Sequence, residues 1–119
     1  MNKTQQGAYG EDLACDFLKK QGYKILERNF RIRGGEIDIV AIDKDTLVYV
    51  EVKTRSSNYF GRPEESVTPR KIKFLERAAK FYRNNRKYLK LPNLERIDVI
   101  TVDSSSAVPQ VNLIRNAGF

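Results

Sequence analysis

Three apolar runs in quick succession between Lys24 and Thr54 constrain the fold of this chain more than any other feature. The runs Lys24 to Arg33, Glu36 to Asp43 and Thr46 to Thr54 are separated only by Gly34-Gly35 and by Asp43-Lys44-Asp45. Valine and isoleucine suit a pleated surface and the two breaks suit tight turns, so the segment predicts an antiparallel three-stranded meander.

Helical signals flank the meander. From Gln5 to Gln21 the apolar residues Leu13, Ala14, Phe17 and Leu18 recur at helical spacing, and Gly22 follows as a C-terminal stop. A second helix opens at Thr68-Pro69, an N-cap followed by a first-turn proline. It carries Ile72, Leu75, Ala78, Ala79 and Tyr82 as its apolar stripe and runs to about Arg86. Arg55 to Val67, broken by Ser56-Ser57, Asn58, Gly61 and Pro63, predicts a long loop. Ile97 to Val102 and Val111 to Ile114 predict two more strands, with Ser104-Ser105-Ser106 and Pro109 linking them. The order α-β-β-β-α-β-β implies an α/β sandwich on a mixed sheet. A right-handed crossover should set Ile97 to Val102 parallel to Thr46 to Thr54. The 119 residues suit one domain, 1–119.

Composition narrows the chemistry. With no histidine, triads built on imidazole and most zinc sites are excluded, leaving carboxylates, lysine, hydroxyls and oxygen-ligated metals. One cysteine, Cys15, reads as a packed, inert thiol; with no disulfide, leader or membrane-length apolar stretch, a cytoplasmic setting without membrane contact is expected. The net charge of +7 favours a polyanionic partner, nucleic acid above all. From Lys71 to Lys90 there are eight basic residues against one acid, Glu76. Lys73, Arg77, Lys80 and Lys87 fall along one stripe of the second helix, opposite its apolar face. Arg55, Asn58, Tyr59, Phe60 and Arg62 in the loop add cations interleaved with an aromatic pair, which reads either as a base-stacking element or as a packed lid.

The acids of the meander stand out because their strands are otherwise so apolar. Alternation places Glu51 and Lys53 on one face, about 7 Å apart along the strand, with Val48, Val50 and Val52 on the other. On the preceding strand Glu36 and Asp38 share a face, opposite Ile37, Ile39 and Ala41. Neighbouring strands let Asp38 and Glu51 converge. Two carboxylates beside a strand carbonyl form a hard oxygen site for magnesium or manganese, and an adjacent lysine is placed to orient or deprotonate a water. An isolated Glu-x-Lys pair reads first as a same-face surface salt bridge. Against that, several acids beside buried strands are costly without a compensating cation. Glu11, at the edge of the first helix's apolar face, can lean over the sheet. Glu36 is expected behind the metal or in solvent.

Gly35 to Ala41 as GEIDIVA, a short gap, then Leu47 to Arg55 as LVYVEVKTR resembles the PD-(D/E)xK nucleases. More narrowly, the chain resembles the small bacterial YraN-like proteins, which are similar to archaeal Holliday-junction resolvases. The resemblance takes in Gly7, Gly10, Glu11, Ala14, Gly22-Tyr23, Asn29 and Gly61 to Val67, with Ile37 standing where the motif has proline. It implies a restriction-endonuclease-like sandwich and metal-dependent endonuclease activity on DNA, branched DNA included, leaving a 3′-hydroxyl. Asp38 and Glu51 would then be metal ligands, Lys53 the catalytic lysine and Glu11 a helix-borne acid near the metal. Magnesium or manganese is the implied cofactor, and a homodimer the implied arrangement for paired cuts. The competing reading is a nuclease-fold adaptor that binds nucleic acid without turnover.

Overall fold

In the computed structural model, which describes residues 2–55 and 67–118, the chain forms α1 (Lys3–Lys20), β1 (Lys24–Ile32), β2 (Gly35–Asp43), β3 (Thr46–Arg55), α2 (Pro69–Asn85), β4 (Leu94–Asp103) and β5 (Gln110–Gly118). This is the expected element order. The strands make one sheet in chain order, with β1, β2 and β3 antiparallel, β4 parallel to β3 and β5 antiparallel to β4.

The helices cover opposite faces of that sheet. Ala14, Cys15 and Leu18 of α1 pack on Ile39, Ala41, Val48, Val50, Ile100 and Val102. Leu75, Ala78, Ala79 and Tyr82 of α2 pack on Ile37, Val40, Leu47, Tyr49 and Ile97. β3 has a helix on each side, which is why Leu47 to Val50 form an unbroken apolar run and every residue from Thr46 to Glu51 is buried. Among the described residues no helix is long and apolar enough to cross a membrane.

Local chemistry sets the boundaries. α1 begins earlier than its apolar spacing indicates, because Asn2 and Gln5 form a reciprocal capping box. Thr68 caps α2 by accepting from the Lys71 N–H at 3.2 Å, with Pro69 at the first helical position. α2 ends at Asn85, so Lys87 lies in the following turn and not on the helical stripe. β5 runs on through Arg115 to Gly118, past its β-branched residues. There the Asn116 N–H donates to Asp98 Oδ1 at 3.1 Å, and Asp98, fully buried, also accepts from the Tyr23 hydroxyl and Arg96 Nε, each at 2.8 Å. A tertiary partner thus extends a strand whose own sequence is a poor strand former.

One expectation fails at the place that builds the site. Ile37 does not share a face with Ile39 and Ala41: it packs toward α2, and they pack toward α1. β1 changes face alongside, since Arg28 reaches Glu11 of α1 whereas Phe30 packs edge-on against Tyr82 of α2. Between these two β1 residues lies Asn29, at φ 55°, a left-handed conformation that asparagine tolerates better than most residues. Strict alternation therefore breaks across Asn29 and Asp38.

Candidate active site

The β2–β3 ladder stops at Ile39–Val50. Beyond that pair the strands part, β2 staying with β1 through Phe30–Ile37 and Arg31–Glu36. Asp38 sits in the fork, and its Oδ2 accepts the Val52 N–H at 2.8 Å, a donor the interrupted ladder leaves open. This anchors the carboxylate over β3. Glu51 is the residue next to Val52 on that strand, so the two acids are neighbours across the fork.

Three carboxylates draw together here. One oxygen from each of Glu11, Glu36 and Asp38 lies within 4.8 Å of the others. Gly10 makes the approach of α1 possible, because a Cβ there would stand 2.0 Å from Thr54 Oγ1. Arg28 flanks the group, 3.6 Å from Glu11 and 2.9 Å from Asp12, and Arg31 Nε lies 3.1 Å from Glu36. Glu36 thus shares Asp38's face, as alternation places it, and the face change after Asp38 sets both on the side of α1.

Glu51 neighbours Asp38 but stands outside the group of three. It is only 4% exposed, and two ammonium groups hold it: Lys53 Nζ at 3.5 Å from Oε1 and Lys71 Nζ at 3.3 Å from Oε2. The Lys71 contact is a charge pair without hydrogen-bond geometry, which leaves Glu51 Oε2 a buried oxygen with no hydrogen-bond partner; Glu36 Oε2 is another. Lys71 is the residue that sequence reasoning passed over. It belongs to the basic run, but only the arrival of α2's first turn at the end of β3 brings it to Glu51.

Burial pushes the Asp38 carboxyl up to about 7, the neighbouring Glu51 charge adding most to that and Glu11 and Glu36 adding less, while the Val52 N–H opposes it. Glu11 is raised as well, chiefly by burial, with Arg28 opposing. Clustered carboxylates, two of which keep a buried oxygen without a hydrogen-bond partner despite nearby cations, are what a hard divalent cation relieves, so Glu11, Glu36 and Asp38, with Glu51 beside them, fit magnesium or manganese by donor type.

Lys53 joins two depressions. With Glu11, Asp38, Gln6 and Gly7 it lines an acidic cavity under α1. With Arg70, Lys71, Lys73 and Arg77 it lines a cationic groove beside α2. Lys73, Arg77 and Lys80 are exposed as expected. Arg83 and Arg86, from the same basic run, are instead tied to Glu95 and Glu27. Arg55 ends β3 beside Asp103 of β4. Arg62, Asn58, Tyr59 and Phe60 lie outside the described residues.

A mixed sheet between two helices, with clustered carboxylates and a lysine at the fork of its central strands, defines an α/β-sandwich protein with an acidic cleft opening onto a basic groove. The chain belongs to the uncharacterised protein family UPF0102, whose model matches residues 10–102. It is similar to the UPF0102 proteins of Geobacter metallireducens, 47% identical over 117 residues and covering 98% of this chain and 94% of that one, and of Syntrophomonas wolfei, 45% identical over 118 residues and covering 98% and 99%. The UPF0102 protein of Caldicellulosiruptor saccharolyticus is 44% identical over 119 residues, covering 98% and 99%.

Proposed function

We propose that this protein is a metal-dependent endonuclease of the PD-(D/E)xK kind that hydrolyses phosphodiester bonds of DNA, branched DNA included. The observation that carries the reading is the meeting of Glu11, Glu36 and Asp38, two of which, Glu11 and Asp38, line a cavity that shares Lys53 with a cationic groove. Acids alone repel a phosphodiester, and cations alone bind it without cleaving; here the two environments adjoin at one lysine.

Glu11, Glu36, Asp38 and Glu51 would hold magnesium or manganese, which supplies charge neutralisation at the phosphate and a more acidic water. Lys53 orients the attacking water and takes part in its proton transfer, because its ammonium lies against Glu51 at the mouth of both depressions. Lys73, Arg77 and Lys80 attract the backbone, and the same proposal counts Arg55 and Arg62 among the phosphate-binding residues. A homodimer, setting two centres on either side of a branch point, belongs with it too.

The test is cleavage of branched, flap, single-stranded and linear substrates with magnesium or manganese, by wild type and by Lys53→Met. Wild type should cut, whereas the variant should bind within a few-fold of wild type and not cut, since one phosphate contact contributes less than water activation. Binding without cleavage in both proteins would make the chain the adaptor; cleavage by Lys53→Met at the wild-type rate would remove Lys53 from the mechanism.

A further inference from the structure

On α2, Lys73, Arg77 and Phe81 follow one another at intervals of four, which stacks them in one row on the helix surface. The row ends on an aromatic ring left 50% exposed, while Phe74, Leu75, Ala78, Ala79 and Tyr82 form the helix's buried face. A single exposed phenylalanine needs no explanation by itself. This one lines a depression with Ile32 and Arg33 of the β1–β2 hairpin and with Arg77, whose guanidinium lies 5.4 Å from the Phe74 ring centroid, so two arginines border the same depression.

Arg77 also lines the groove that leads past Lys73 and Lys71 to Lys53. Lys53 in turn lines the acidic cavity with Asp38 and Glu11. Shared side chains thus connect the carboxylates, the cationic groove and the aromatic ring into one track. At the helical rise of about 1.5 Å per residue, Lys71 and Phe81 are about 15 Å apart along α2. At about 3.4 Å per stacked nucleotide, that is about four nucleotides of one strand.

We propose that Phe81, between Arg33 and Arg77, is a stacking site for an unpaired base, so that the favoured nucleic acid carries unpaired nucleotides about four positions from the phosphate at Lys53 and Lys71. The proposal rests on the nuclease reading and names its substrate class. Aromatic rings and guanidinium planes are the surfaces on which splayed bases stack, whereas the bases of an intact duplex present their faces only to each other. A second copy of the chain is a poorer occupant, because a two-fold contact through this patch would set one cationic surface carrying Arg33 and Arg77 against another.

The experiment is fluorescence anisotropy in chelator, so that no strand is cut, with a partial duplex bearing a single-stranded overhang and a blunt duplex of equal length. Phe81→Ala should weaken overhang binding on the order of tenfold and blunt-duplex binding by less than about twofold, and Phe81→Tyr should bind like wild type. An abasic nucleotide moved along the overhang should cost wild type affinity at one position and cost Phe81→Ala nothing there. Equal losses on both substrates, no loss on either, or a change confined to sedimentation, which would make the ring a protein contact, would overturn the proposal. A wild type that binds no nucleic acid overturns the nuclease reading together with this one; binding that ignores Phe81 overturns this one alone.

Discussion

Asp38 holds the unfavourable part of the site at the scale of a single side chain. Its carboxyl titrates near 7 in the folded protein, because of burial and the surrounding acids, against an ordinary value of about 3.9 in the unfolded chain. Between about pH 4 and pH 7 the folded state therefore holds a proton that the unfolded state has released, and stability falls as pH rises through that window. Glu11, raised in the same direction, adds to the fall. Asp38→Asn should flatten this dependence and, in chelator at pH 8, melt above wild type. Manganese should reverse the order: wild type gains RT ln(1 + [L]/Kd) and the variant much less. Thermal melts of both proteins across that range, with chelator and with manganese, read all of this at once. A wild type flat with pH and indifferent to manganese would remove the carboxylate site.

At the scale of elements, the site depends on how closely α1 approaches β3, and Gly10 sets that distance. In an isolated helix Gly10→Ala would stabilise by about 1 kcal/mol through propensity alone. Here the added methyl would meet Thr54 Oγ1 at 2.0 Å and Thr54 Cβ at 3.0 Å, so α1 must move away from the sheet and carry Glu11 with it. Net destabilisation of about 1–3 kcal/mol is expected by chemical denaturation, with a weaker manganese response, and Thr54→Ala in the same chain should recover part of both. A gain in stability from Gly10→Ala would mean that the helix does not press on β3. The Glu-x-Lys spacing, the Thr68-Pro69 cap and the succession of elements were all legible along the chain, because each is written in local alternation or capping chemistry. The face change at Asp38 was not, because it follows from β2 parting from β3 while staying paired with β1.

For the whole molecule, the basic run after residue 70 divides according to what the fold does with it. Arg83 and Arg86 are spent on Glu95 and Glu27, whereas Lys73, Arg77 and Lys80 stay exposed on α2, with Lys71 and Lys53 deeper in the groove. Nucleic-acid binding should therefore weaken steeply with salt, and replacing Lys73 and Arg77 together by glutamine should reduce the slope of log K against log salt by about two. An unchanged slope in a salt titration would place the nucleic acid on another face. By itself the sequence determined the α-β-β-β-α-β-β order, the pairing of the meander, and Asp38, Glu51 and Lys53 as the residues to watch, since periodicity, turn chemistry and costly charges in apolar strands are readable within a few residues. Only the tertiary structure decided that Glu36 and Glu11 close on Asp38, that Lys71 holds Glu51 and that Phe81 ends a cationic track, because each depends on where α1 and α2 land across the sheet, and long-range packing fixes that placement.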